Sequence, residues 1–299
     1  MLGINRIQIS HELLCQVADI DAFKGFWSGV ERHSTGLKLL GDVAEHGADF
    51  SDVLGLLKTQ AIDRNIILAL YRTQAGDAAA EFRDAVVPLE IEDASQSVGI
   101  IDVAAVKDIA PLLDKLCDWV NGALGDGGET HPLFVAAVFV AVFLQIAPFA
   151  RGNVKLVRFL LMLILLKAGY VYAPYVSLAP MMEARAEAFY RALRDNQASL
   201  EAGKPDWRGW LGFFLGLLAA QKDVLQARLE ADVVEVKDMP ELSTRILALF
   251  KDHQRLQMND IMRMTRGRRA TIKLRLKELL GAGYLHRHGG GRSTWYSLV

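Results

Sequence analysis

Between Leu133 and Ala150 the chain runs for 18 residues without a charge. Few folds can absorb such a segment: it crosses a membrane, or it lies at the centre of a large domain. A hydrocarbon core about 30 Å thick takes about 20 apolar residues in a helix. Pro148 falls near the end of the run, and the next apolar stretch, Phe159 to Leu166, is only eight residues long before Lys167. That second stretch is too short to span, and no other segment pairs with the first. A helix apolar on every side is also what the middle of a larger helical domain requires. The reading is a buried central helical hairpin and no membrane span. The size of the chain suits this, because 299 residues, 52% of them apolar, bury roughly 75% of the unfolded surface and suggest about two domains.

The rest of the body reads mainly as helix. Residues 11–73 show helical spacing, as in Ile62, Ile66, Ile67 and Leu70, and Ala75 to Ala80 reads as a turn. Residues 86–103 are the only stretch before the tail with short β-like alternation. Pro111 to Asn121, Met181 to Leu200 and Asp206 to Leu229 read as helices, with Gly122 to Thr130 as a loop. Trp207, Trp210, Phe213 and Phe214 have the spacing of a helix core rather than of a cofactor box. Residues 230–240 are charged and poorly periodic, which makes them the linker. The expected division is a helical region over 1–94, a core over 95–229 and a C-terminal domain over 241–299. Cys15 and Cys117 form no disulfide framework, and Met1 to Ser10 has no secretory pattern, so a cytoplasmic location is expected.

The turn between the two apolar helices carries chemistry. A Gly152-Asn153 pair, followed by Lys155 and Arg158, sits where a second helix opens. Glycine permits tight backbone geometry, the first N–H groups of a helix attract anions, and cations at i, i+3 reinforce them. On spacing alone, a plain turn with a glycine C-cap and two solvated basic residues is the better fit.

The surrounding residues narrow the choice. His131-Pro132-Leu133-Phe134 and Phe143-Leu144-Gln145-Ile146-Ala147-Pro148-Phe149-Ala150-Arg151-Gly152-Asn153-Val154-Lys155-Leu156-Val157-Arg158 closely resemble the Fic family. Its signature reads His-Pro-Phe-x-(Asp/Glu)-Gly-Asn-Gly-Arg-x-x-Arg. Later helices, including Ala188-Phe189-Tyr190-Arg191 and Asp206-Trp207-Arg208-Gly209-Trp210, also resemble the family, and the likeness covers roughly residues 95–225. It implies a helical protein that moves AMP from ATP onto a protein hydroxyl. Pro148, Phe149, Gly152, Asn153 and Arg158 match the signature. Ala147 stands where the family has its histidine base, and losing a positioned base costs about 10²–10⁴-fold. Arg151 stands where a carboxylate would hold Mg²⁺, Val154 replaces the second glycine, and Lys155 replaces an arginine. The resemblance therefore implies lost transferase chemistry, with Gly152, Asn153, Lys155 and Arg158 as remaining phosphate contacts. Phe50 to Gly55 is similar to the end of the family's inhibitory helix, with Leu54 at the glutamate position.

Charge divides unevenly. From Glu241 to Val299 there are 12 Lys and Arg against 4 Asp and Glu, a net of +8, whereas the other 240 residues hold 22 against 31, a net of −9. Helical spacing over Ile246–Phe250, with Ser243 and Thr244 as caps, precedes a short helix over Gln257–Arg263 and a third through Ile272, Leu276, Leu279 and Leu280. Two alternating strands follow, joined by Gly289-Gly290-Gly291. This order resembles a winged helix-turn-helix, in which the third helix enters the major groove and the hairpin touches the backbone. Arg266, Arg268, Arg269, Lys273 and Lys277 would line the helix, with Arg287 and Arg292 on the wing. The alternative is a dimerisation module with a solvated basic face. His286 and His288 lack a companion carboxylate or thiol, so no metal site is expected.

The combined reading is a Fic-like helical bundle with a small winged-helix (α+β) domain, a DNA-binding regulator without catalysis. It requires no cofactor, allows ATP or phosphate binding without Mg²⁺, and leaves a homodimer open. The rival is an AMP-transferase with a non-standard active site. No His, Asp or Glu lies between Pro132 and Ala168, so the rival must import a base from a distant loop.

Overall fold

The computed structural model describes residues 9–33, 60–92, 97–125, 128–237, 239–250, 253–282 and 284–298. The Phe50–Gly55 segment lies outside these residues. The chain divides into two compact units, one of Met1–Lys24 with Gly47–Lys222, the other of Gly25–His46 with Asp223–Val299.

The first unit is helical, and its centre is the apolar hairpin. Helices α1 (His11–His33), α2 (Arg64–Ala75) and α3 (Ile109–Leu124) precede α4 (Pro132–Ile146) and α5 (Asn153–Lys167). Every residue from Leu133 to Leu144 is buried, as are Leu156, Val157 and Leu160 to Leu166. Each large side chain so buried contributes about 1.5–3 kcal/mol, enough to explain why this segment forms the core. The start of α4 is fixed locally. Pro132 occupies its first turn, and His131 caps it, with Nδ1 accepting from the Leu133 N–H at 3.3 Å and Nε2 lying 3.0 Å from Asp21 Oδ2. No helix among the described residues is long and apolar enough to cross a membrane.

The expected β alternation is a hairpin, β1 (Leu89–Glu92) with β2 (Ser97–Ile101), antiparallel with Leu89 opposite Ile101 and Ile91 opposite Gly99. Leu89, Ile91 and Ile101 are buried. Gly99 lets the hairpin sit directly on a ring, since a Cβ there would lie 2.3 Å from Tyr190 Cζ. The helix read over Met181–Leu200 is two helices, α6 (Ala179–Glu183) and α7 (Ala186–Glu201).

Helix α8 (Arg208–Lys237) runs straight through the stretch read as a linker. Glu230, Ala231, Glu235 and Lys237 there are good helix formers, and Val233 and Val236 follow Leu229 at i+4 and i+7, so the helix continues. In the second unit, α9 (Glu241–Leu249) starts directly after Pro240, and Ser243 is a buried residue inside the helix, not its cap. Then follow β3 (Leu256–Gln257), α10 (Met258–Thr265), α11 (Arg269–Gly281), β4 (Leu285–His288) and β5 (Trp295–Leu298). The strands form one antiparallel sheet in the order β3-β5-β4. Ile246, Phe250, Ile261, Ile272, Leu276, Leu279 and Tyr296 form its core. The two-residue β3 is too short to show alternation, and Gln257 with Asp260 makes a capping box at its junction with α10.

Candidate functional site

The turn between α4 and α5 is built from its own residues. Ala147 ends α4 in the left-handed conformation, φ 41° and ψ 71°, and is fully buried. Phe149 stacks on Tyr71 of α2 at 3.6 Å between ring centroids and 12° between planes. Asn153 clamps the turn: its Oδ1 accepts from the Phe149 N–H at 3.1 Å, and its Nδ2 donates to the Phe149 carbonyl at 2.7 Å. Gly152 takes φ +76° at the N-cap of α5. The N–H groups of Asn153, Val154 and Lys155 therefore open the helix without an intrahelical acceptor, and the first helical bond is Leu156 N–H to the Gly152 carbonyl at 2.9 Å.

This helix end faces a cavity of about 460 Å³. Arg151, Lys155 and Arg158 supply three cations to its wall. Val87 to Ile91 of the hairpin close another side, and Met182, Ala186 and Phe189 supply an apolar one. Arg151 and Lys155 are exposed, whereas Arg158 is half-buried. Burial draws the Arg158 pKa below the ordinary arginine value, and Glu183 pushes it partway back. Among the described residues, Arg151 makes no hydrogen bond or ion pair.

The structure thus brings together Gly152, Asn153, Lys155 and Arg158, all of which line the cavity. Within this set Asn153 differs from the rest, because its side chain is buried and committed to Phe149. What it can offer a ligand is its main-chain N–H. Ala147, the residue at the end of α4, is turned into the protein interior. Two carboxylates, Glu90 and Glu183, also line the cavity, and neither belongs to the helical hairpin. Glu90 comes from β1 and Glu183 from α6. No local pattern marks them, since they reach the site only through packing. No cluster of three His, Cys, Asp or Glu suited to a metal occurs among the described residues.

In the second unit, α11 buries Ile272, Leu276 and Leu279 and exposes Arg269, Lys273 and Lys277. Arg268 is its N-cap, and Arg266 ends α10 with φ 54°, both exposed. Arg287 lies exposed on β4. Arg292 lies between β4 and β5, and its side chain lies outside the described set. His288 stacks on Trp295 at 3.9 Å between ring centroids, and its Nε2 lies 2.9 Å from Ser297 Oγ.

Comparison with known proteins bears on the first unit. The model of the Fic/DOC family matches residues 61–165, beginning well before the expected boundary at 95. A Fic family protein from Desulfovibrio desulfuricans G20 superposes with a TM-score of 0.51 at 17% identity, covering 98% of this chain and 97% of that one. A Fic domain containing signaling protein from Bacteroides thetaiotaomicron VPI-5482 gives 0.46 at 20% identity, over 61% of this chain and 70% of that one. No curated protein matches the chain. The family match spans α2, the β-hairpin and nearly all of the central helical pair, so residues 61–165 are a Fic/DOC-family domain whose α4–α5 turn opens the cavity.

Proposed function

We propose that this chain is a DNA-binding regulator whose Fic/DOC domain has lost AMP transfer and serves as a sensor of a phosphate-bearing ligand. The loss of chemistry rests on one observation above all. The residue at the end of α4, where the family resemblance puts a histidine base, is a methyl group with no exposure. It has no lone pair and no path to a substrate hydroxyl. Arg151 occupies the place of a metal-binding carboxylate, so anion binding at the α5 N-terminus proceeds without Mg²⁺. Thermal shift with ATP, ADP, AMP and inorganic phosphate, with and without EDTA, tests this. A shift indifferent to EDTA and reduced by salt is expected, and no shift at millimolar ligand removes the sensor.

The DNA half is supported by the element order α9-β3-α10-α11-β4-β5 and by six exposed cations, Arg266, Arg268, Arg269, Lys273, Lys277 and Arg287. They accord with a winged-helix module on a segment of net charge +8. Each neutralised phosphate steepens the log–log salt dependence by about 0.9, so four to six contacts give a slope of about −4 to −5. A slope near zero for the full chain on duplex DNA removes this half.

A second reading has one observation in its favour. Glu90 and Glu183 line the cavity, so a carboxylate base for AMP transfer is available by an unusual route. Incubation with labelled ATP and Mg²⁺ or Mn²⁺ separates the two. No label on the protein or on lysate proteins is expected, and robust labelling abolished by Glu90→Gln or Glu183→Gln establishes the transferase.

A further inference from the structure

Arg83 belongs to no motif and does not line the cavity, yet it is buried at 5% exposure. Its Nε donates to the Ala147 carbonyl at 2.8 Å, and Nη2 donates to the Ile146 carbonyl at 3.1 Å and also to that of Ala104. Nη1 donates to the Ala85 carbonyl at 2.9 Å, and the Arg83 main-chain N–H donates to the Pro148 carbonyl at 2.9 Å. A further main-chain bond runs from the Ala104 N–H to Gln145 at 3.0 Å.

The four side-chain acceptors divide into two sets. Ile146 and Ala147 form the C-terminal end of α4, where carbonyls lack helical partners and the dipole is negative. Ala85 and Ala104 flank the β-hairpin on either side. The first set roots the turn that carries Ala150 to Lys155 into the cavity, and the second roots the strand that carries Val87 to Ile91. A single planar guanidinium bonds the base of both. Lysine cannot replace it, because three donors on one atom cannot reach carbonyls spread around a plane.

We propose that Arg83 is the positioning residue of this cavity, fixing the hairpin and the α4–α5 turn as one body. The proposal leans on the reading of the cavity as a ligand site only for its binding measurement.

Hydrogen exchange on the full chain tests it, with Arg83→Met, Arg83→Lys and, as a control for general destabilisation, Leu116→Ala in the buried face of α3. Arg83→Met is expected to speed exchange about tenfold or more in both 84–104 and 145–155, leaving α8 and the C-terminal unit unchanged. Arg83→Lys should show the same paired pattern at a smaller amplitude, which keeps the test usable if the methionine variant does not fold. Leu116→Ala should loosen its unit without favouring those two segments. Loosening of one segment alone, or of both only as much as in the control, overturns the proposal. ATP and inorganic phosphate serve as binding probes: where wild type binds, Arg83→Met should weaken binding about tenfold or more. Absence of binding to wild type sinks the ligand reading, while the exchange pattern still decides Arg83.

Discussion

Ala147→His returns a base to the end of α4, and the structure argues that it will cost stability without restoring transfer. Ala147 has 0% exposure, and its carbonyl is held by Arg83 Nε at 2.8 Å. An imidazole must therefore be forced into filled space, an overpacking that costs about 1–3 kcal/mol. Its ring nitrogens enter that space without a prepared partner, which adds about 1–3 kcal/mol. The sum is about 2–6 kcal/mol, and at about 2–4 °C per kcal/mol the transition of the helical unit should fall by about 4–24 °C. The backbone adds little, since φ 41° is already accommodated by a residue with a Cβ and histidine tolerates this region better than most. Thermal unfolding can be followed through the buried Trp207 and Trp210, and transfer through labelled ATP. Even folded variant should not label, because Arg151 and Val154 still line the cavity in place of a carboxylate and a glycine, and positioning supplies most of phosphoryl-type catalysis. An unchanged melting temperature together with labelling would refute both the burial argument and the weight given to those two residues.

Asn153→Ala strands the N–H and carbonyl of Phe149 in the interior, so a loss of about 2–5 kcal/mol is expected in denaturant unfolding, and a loss under 1 kcal/mol would show that the clamp is dispensable. Lys277→Ala should weaken binding to all DNA sequences alike, whereas Arg269→Ala should also relax preference at one base pair. Binding that survives replacement of Arg268, Arg269 and Lys273 together would take α11 out of the interface. Asp206 is held down to about pKa 2 by its side-chain hydrogen bond with Arg208. A depressed carboxylate contributes stability that is present above its unfolded pKa near 4 and is lost as pH falls through about 2. Asp206→Asn should therefore flatten the stability profile between those values, and an unchanged profile would mean that the exposed pair is screened away.

The central pair of helices and the β-hairpin were legible in the sequence because periodicity is local: Leu133–Leu144 has no polar face, and 86–103 alternates. So was the turn, whose glycine and whose basic residues at i, i+3 fall within one stretch of chain. The resemblance to the Fic family was readable for the same reason, since its signature is contiguous, and the family match bears it out. The course of α8 was not legible, because Glu230 to Lys237 carries four charges and three valines, which read as a break in the pattern although the helix continues through them. The cavity's other walls depend on packing alone. Val87 to Ile91, Met182 and Glu183 meet the α5 N-terminus from separate parts of the chain, and nothing in their own neighbourhoods marks them. Arg83 looks like any surface arginine until four carbonyls from three segments converge on it. Propensity, capping and signature act between residues close in sequence, whereas a cavity wall and a buried charge are defined by which distant backbones the core has brought within hydrogen-bond reach.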